Sequence, residues 1–133
     1  MDAMNVSRDV LAVACGGAVG SVARYGVAVG VASWLPAVTF PYAILLVNVA
    51  GCLAIGVLGE GLPHWAPHMT WLRPLLMTGV LGGLTTFSTF GYDTFHQLHA
   101  AQYAQAFSNV AANLVLGIGA VWLGAMIVRY WAA

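Results

Sequence analysis

The 133-residue chain contains no lysine and very little charge of either sign. Only 6% of its residues are Asp, Glu, Lys or Arg, against about a quarter in an ordinary soluble domain, which excludes a soluble globular protein. The formal net charge is zero, which gives no electrostatic basis for binding nucleic acid. A disordered chain is excluded as well, because disorder requires low hydrophobicity and 61% of these residues are hydrophobic. We therefore predict an integral membrane protein.

Cysteine is also scarce, and the usual motifs of enzymes are missing. Cys15 and Cys52 both lie in apolar stretches, which indicates small buried thiols rather than a disulfide framework. There is no GxxxxGK phosphate-binding loop, and no histidine–carboxylate pair accompanies the Ser and Thr residues of the apolar segments. His64 and His68 have helical spacing, but Pro67 lies between them and further metal ligands are missing, which favours solvated loop histidines. An enzyme is therefore not expected.

Long apolar runs predict four membrane-spanning helices. A spanning helix needs about 20 apolar residues, so the chain accommodates about four of them with short connections. We predict spans over residues 10–34, 41–58, 72–95 and 103–130. A β-barrel would instead show short segments of alternating hydrophobicity. The predicted fold class is an all-α integral membrane protein with a single four-helix domain over residues 1–133.

Glycine is abundant, with 16 residues, many of them inside these spans. Three pairs are spaced four residues apart, which places both members on one helix face: Gly16 and Gly20, Gly26 and Gly30, Gly79 and Gly83. Such pairs let two helix backbones approach each other closely, so tight helix packing is their expected role.

The few arginines indicate an orientation for the spans. Arg8, Arg73 and Arg129 fall on the side that holds both termini, whereas the loops on the other side carry no Lys or Arg. Because cytoplasmic loops are enriched in Lys and Arg, we expect cytoplasmic termini in this multi-pass membrane protein. Arg24 lies in or near the far end of the first span, where a charge indicates a functional or vestibule position unless it snorkels to the interface.

The third predicted span has an unusual polar centre. Residues 79–90 include three glycines, three threonines and a serine. Gly-Gly followed by Thr-Thr is a poor helix interior, which favours a helix broken near its middle. Freed carbonyls at a break offer a cation site, and half-helix ends offer dipoles that face an ion. The alternative is a continuous helix whose hydroxyls bond back to its own carbonyls.

Three asparagines extend this polar character into the neighbouring spans. Asn48 stands alone in the apolar run of the second span, and Asn109 and Asn113 are one turn apart in the fourth. A single asparagine in a membrane often joins two helices by a hydrogen bond. Several amides beside a hydroxyl-rich segment indicate a polar track instead.

Three segments of the chain resemble the CrcB, or Fluc, family of fluoride channels. They are GGAVGSVARY in the first span, LLVNVAGCLAIG in the second and GVLGGLTTFSTF in the third. The resemblance extends over nearly the whole chain, and the GGLTTFSTF string is highly specific. It implies a passive fluoride-selective channel of the bacterial inner membrane that exports fluoride from the cytoplasm and lowers its toxicity. It also implies an antiparallel, dual-topology homodimer, with pairing to an oppositely oriented paralogue as the other arrangement.

The resemblance further implies which residues form the fluoride pore. Phe87 and Phe90 would be the paired pore phenylalanines, Asn48 would contribute an amide donor, and Ser88 and Thr89 would lie near the path. Amide and hydroxyl donors replace the water of a strongly hydrated anion without a fixed charge that traps it. The edges of aromatic rings are the positive part of their quadrupole and are able to face an anion.

Four more residues receive roles from the resemblance. Asn109 and Asn113 would fall on a polar track in the fourth span. The backbone carbonyls of Gly82 and Thr85 would bind a structural sodium ion on the dimer axis. Oxygen ligands suit such a hard cation, and two copies would supply four of them.

Two other functions stay open at this point. A small dual-topology, proton-coupled exporter of cationic compounds also has four spans and a similar length. Proton coupling needs a carboxylate within the membrane, whereas the first span has none after Asp9 and Asp93 lies near a loop. The other alternative is a non-transporting membrane scaffold, which has no use for the polar segment.

Overall fold

The computed structural model describes residues 3–36 and 39–132, and the regular secondary structure of these residues is helical throughout. In chain order the elements are α1 (Ala3–Trp34), α2 (Tyr42–Trp65), a π-helix (Pro74–Leu81), α3 (Gly82–Leu84), α4 (Phe87–His99) and α5 (Tyr103–Ala132). The predicted all-α class is thereby confirmed.

Within residues 3–36 and 39–132, three helical segments are long and apolar enough to cross a membrane. They are Asn5–Trp34, Tyr42–Trp65 and Tyr103–Trp131, with hydropathies of 1.5, 2.2 and 2.0. These segments correspond to the first, second and fourth predicted spans. The third predicted span is divided among the π-helix, α3 and α4, and none of these pieces alone has the length of a spanning helix. The long apolar helices indicate a multi-pass membrane protein.

Helix α2 runs to Trp65, past the end predicted at residue 58, and it includes Pro63. Glu60 remains helical, and its carboxylate accepts hydrogen bonds of 2.8 and 3.2 Å from the guanidinium of Arg129 in α5. Gly61 is buried beneath the ring of Trp65. The apolar stretch therefore ends at Gly59-Glu60-Gly61, whereas the helix continues to Trp65.

Other helices also extend beyond the predicted spans. Helix α1 begins at Ala3 rather than at residue 10, and α5 ends at Ala132 rather than at residue 130. Helix α4 continues to His99, beyond the predicted limit at residue 95. Hydropathy locates the apolar part of each helix, whereas its backbone hydrogen bonds continue through polar residues at the ends.

Glycines bring α1 and the π-helix into backbone contact. Gly16 lies directly against Gly79 of the π-helix, and Gly20 lies against a backbone carbonyl of the same element. Side chains at these positions would force the two elements apart, so the packing role predicted for these glycines is confirmed. A side chain added at Gly26 or Gly30 would meet none of the described residues within 4 Å, so these two glycines take no part in this packing.

A second pair of helices, α2 and α5, packs in the same way. Gly56 lies against the carbonyl of Val121, and Gly124 lies against the carbonyl of Leu53. Helix α4 lies against both α2 and α5 and contacts them through polar residues. The first residues of α4 lie beside Asn48 of α2, and the candidate site is described from this contact.

Candidate ion-permeation site

The helical backbone is interrupted between Leu84 and Phe87. Thr85 and Thr86 are extended there, with ψ angles of 156° and 118°. Thr86 is the N-cap residue of α4, and its hydroxyl oxygen accepts a hydrogen bond of 3.2 Å from the backbone N–H of Thr89. Threonine is a favourable N-cap because its side chain satisfies a donor that has no helical partner. The Thr-Thr pair thus starts a new helix instead of continuing the previous one.

Asn48 of α2 binds both backbone polar groups of Thr86. Its side-chain oxygen accepts from the Thr86 N–H at 3.0 Å, and its amide nitrogen donates to the Thr86 carbonyl at 3.4 Å. Thr86 is buried, and buried backbone groups need partners. An asparagine carries a donor and an acceptor on one short side chain and is therefore suited to this position.

A row of hydrogen bonds continues from Asn48 into α5 and back to α4. Asn48 donates to the side-chain oxygen of Asn113 at 2.9 Å, and Asn113 donates to that of Asn109 at 3.0 Å. Asn109 is fully buried and donates to the hydroxyl of Thr94 at 2.9 Å. Thr94 in turn donates to the carbonyl of Phe90 at 2.8 Å. We refer to the three asparagines and Thr94 as the amide row.

Hydroxyl groups and aromatic rings share the first turn of α4. The Thr86 hydroxyl lies 3.2 Å from that of Ser88 and donates to that of Thr89 at 3.1 Å. The rings of Phe87 and Phe90 have centroids 5.6 Å apart and planes inclined by 52°. Phe87 is 83% exposed in the single chain, whereas Phe90 is half-buried.

A cavity of about 340 Å³ is walled by the interruption and by residues of α2, the π-helix, α3, α4 and α5. The predicted site residues in its wall are Asn48, Gly82, Thr85, Phe87, Phe90 and Asn113. Four predicted residues are not part of this wall, namely Arg24, Ser88, Thr89 and Asn109. Arg24 lies half-buried in α1 and makes no hydrogen bond or ion pair within residues 3–36 and 39–132.

The carbonyls of Gly82 and Thr85 lose their ordinary helical donors at the interruption. In a continuous helix they would accept from the N–H groups of Thr86 and Thr89. The Thr86 N–H donates to Asn48 instead, and the Thr89 N–H donates to the hydroxyl of Thr86. Backbone oxygens of this kind suit a hard cation. Within the described part of the chain, no three His, Cys, Asp or Glu side chains group into a metal site.

Sequence reasoning misses Thr86 and Thr94. Thr86 lies in the polar segment of the third span, but its capping function depends on where the helix stops and is not visible in the sequence. Thr94 lies four residues after Phe90, a spacing at which a helical hydroxyl commonly bonds back to a carbonyl. Its second partner, Asn109, is brought to it only by the contact between α4 and α5.

Residues 11–125 match the family model of the CrcB-like protein, Camphor Resistance (CrcB). The fluoride-specific ion channel FluC of Nitrobacter winogradskyi is 43% identical over 121 residues, which cover 90% of this chain and 94% of that protein. The channel of the same name from Paracoccus denitrificans is 44% identical over 119 residues, covering 90% of this chain and 93% of that one. The matched range contains the whole interruption and the amide row, and on this basis the chain belongs to the CrcB family.

Proposed function

We propose that the protein is a passive, fluoride-selective ion channel that exports fluoride from the bacterial cytoplasm and so lowers its toxicity. The observation that carries the proposal is the similarity to FluC channels, which extends over 90% of this chain. The donor-rich interruption at Thr85 and Thr86 supports it, because irregular backbone within a membrane occurs where protein or a water-filled cavity surrounds it. Ion channels are a class distinct from enzymes, and no catalytic group is assigned.

Uncharged donors would replace the water of the ion along this path. The hydroxyls of Ser88 and Thr89 provide them, and the amide of Asn48 would contribute by exchanging its 3.4 Å hydrogen bond to the Thr86 carbonyl for one to the ion. Both N–H groups of Asn113 donate to Asn109, so Asn113 would position Asn48 along the polar track. Because none of these groups carries a positive charge, the ion is bound weakly enough to leave. Asn109 is fully buried, so its role is to hold Asn113 in position rather than to touch the ion.

Aromatic edges would complete the pore. Phe87 and Phe90 belong to the same turn of α4, and each ring is able to present its positive edge to an anion. Arg24 would belong to a vestibule rather than to the narrow part, since it lies outside the wall of the cavity beside the interruption.

We further propose that two antiparallel copies form the channel in the inner membrane and hold a structural sodium ion between them. Gly82 and Phe87 are exposed in the single chain, and a second copy would cover them. A two-fold axis would bring together the Gly82 and Thr85 carbonyls of both copies, giving four oxygens for sodium. The positive charge of bound sodium would compensate carbonyls that lack donors at membrane depth.

An experimental structure of the assembled protein in sodium-containing buffer tests this arrangement. We expect an antiparallel dimer with central density coordinated by four carbonyl oxygens, two from each copy, at Gly82 and Thr85. A parallel dimer, a continuous third span or the absence of such density would contradict it.

Liposomes that contain only this purified chain test the channel function. A fluoride electrode should record efflux without ATP and without a proton gradient, once a potassium ionophore carries the counter-charge. Chloride efflux should stay at the level of protein-free liposomes, because the hydroxyl and amide donors of the proposed pore suit fluoride, which is smaller than chloride. Fluoride efflux that requires a proton gradient, or transport of a cationic dye instead of fluoride, would support the exporter alternative. Efflux only after addition of a second paralogue would contradict the homodimer.

A further inference from the structure

A groove of about 230 Å³ lies between the last turns of α2 and the start of the π-helix. Arg8, near the N-terminus, donates a hydrogen bond of 3.1 Å to the hydroxyl of Thr70 in its wall, which places the groove at the end of the molecule that holds the termini. Thr70 and Arg73 are the polar side chains of this wall. The other residues that form it are apolar, and the largest of them are Leu58, Leu62 and Met69.

Arg73 carries a positive charge that no neighbouring carboxylate balances. Arg8 forms an ion pair with Asp9 at 3.0 Å. Arg129, at the same end, forms one with Glu60 at 2.8 Å. Arg73 is exposed and has neither a hydrogen bond nor an ion pair with any residue that the structure describes. Its guanidinium is a planar fork of five donors that fits a phosphate group, so the groove offers a place for an anionic partner.

The groove begins at the level of the membrane surface. Trp65 and Trp71 flank it in the sequence and are exposed, as are Tyr130 and Trp131 at the end of α5. Trp and Tyr are enriched where the hydrocarbon of a membrane meets the polar headgroups. Leu58 precedes Trp65 by seven residues of α2, so the apolar wall extends about 10 Å from this level towards the membrane centre. A polar rim above an apolar wall corresponds to the two parts of a phospholipid.

We propose that this groove binds one anionic phospholipid of the surrounding membrane. Its phosphate accepts hydrogen bonds from the guanidinium of Arg73 and from the hydroxyl of Thr70, which accepts from Arg8 and donates to no described residue. One acyl chain lies along Leu58 and Leu62. Basic pockets beside membrane helices recognise acidic headgroups in this way. A soluble phosphate would leave the apolar wall unfilled, which favours the lipid. The proposal does not depend on fluoride transport.

Titration of the purified, detergent-solubilised protein with phosphatidylglycerol tests the proposal, with native mass spectrometry as the readout. We expect one lipid per chain at the lowest concentrations, and a higher thermal midpoint in its presence, because a ligand of the folded state stabilises that state. Arg73→Gln should raise the half-saturating lipid concentration about tenfold, since a hydrogen bond between charged groups is lost.

A second variant tests the apolar part of the groove without changing any charge. Gly59 lies in its wall, and a side chain added there would have only the flexible end of Met77 within 4 Å. Gly59→Leu therefore fills the groove without a clash against the backbone. Its thermal midpoint without lipid should not fall, because leucine favours a helix more than glycine does. Its half-saturating lipid concentration should rise at least about tenfold, since the acyl chain loses its place.

Arg129→Gln is the matched control, because it makes the same change of charge at the same end of the molecule but lies outside the groove. Its half-saturating concentration should equal that of the unaltered protein. Equal weakening in Arg129→Gln and Arg73→Gln would overturn the proposal, because binding would then follow overall charge. Unchanged binding in Arg73→Gln or in Gly59→Leu would overturn it as well. Phosphatidylcholine that binds as tightly as phosphatidylglycerol would exclude selection of an anionic lipid, and displacement by equal concentrations of glycerol 3-phosphate would indicate a site for a soluble anion instead.

Discussion

Replacing Asn48 with aspartate is expected to reduce fluoride efflux by at least about a hundredfold. The introduced carboxylate still accepts from the Thr86 N–H but no longer donates to Asn113 or to the Thr86 carbonyl. It also places a negative charge on the wall of the cavity beside the interruption. Two like charges about 4 Å apart repel by roughly 4 kcal/mol at a dielectric constant of about 20, equivalent to about a thousandfold.

Two further variants separate the causes of this loss. Asn48→Leu removes the hydrogen bonds without adding charge, and it should destabilise the protein by about 1–3 kcal/mol for each buried group left unpaired. Its efflux should lie between that of Asn48→Asp and that of the unaltered protein. Asn5→Asp makes the same chemical change at an exposed position of α1 and should leave efflux unchanged. Normal efflux in Asn48→Asp would remove Asn48 from the ion path.

Phe87→Ile and Phe90→Ile should each reduce fluoride efflux about tenfold while the dimer stays assembled. Isoleucine remains apolar, so the loss of packing is modest, but the positive ring edge disappears. Pairs of aromatic rings contribute roughly 0.5–1.5 kcal/mol, and a contact of the ring edge with the ion at the upper end of this range corresponds to about tenfold. Efflux from liposomes and the elution volume in size-exclusion chromatography provide the two readouts.

The control for this pair is Phe107→Ile in α5. Phe107 is 76% exposed and does not line the cavity beside the interruption. We expect Phe107→Ile to show the same fluoride efflux as the unaltered protein and to elute as the same dimer. If Phe87→Ile and Phe90→Ile both conduct normally, the assignment of the pore to the first turn of α4 is wrong.

The all-α class is accessible from the sequence because membrane helices have a strong compositional signature, and the same signature directs attention to the polar residues of the candidate site. Scarce charge and long apolar runs locate the helices, and the isolated amides mark the polar contacts between them. The contact between Asn48 and Asn113 follows this logic, since unpartnered amides in apolar helices attract each other.

Other features depend on tertiary contacts that no local pattern records. The ion pair of Glu60 with Arg129 joins residues that are 69 positions apart in the chain. The bond from Asn109 to Thr94 depends on how α4 meets α5. The absence of a partner for Gln97 within the described residues is likewise a property of the folded chain, because a glutamine at a helix end ordinarily faces solvent.

The amide row has a further consequence for how α4 is held. Its hydrogen bonds begin at the N–H of Thr86 and end at the carbonyl of Phe90, so both ends of the row belong to the first turn of α4. Apolar contacts change little when one membrane helix slides along another, because lipid and side chains are similarly apolar. A slide of α4 by one turn would break the bonds of Asn48 and Asn109 together. The row therefore fixes the register of α4 against α2 and α5. It thereby also fixes the position of Phe87 and Phe90 along the axis of the helix bundle.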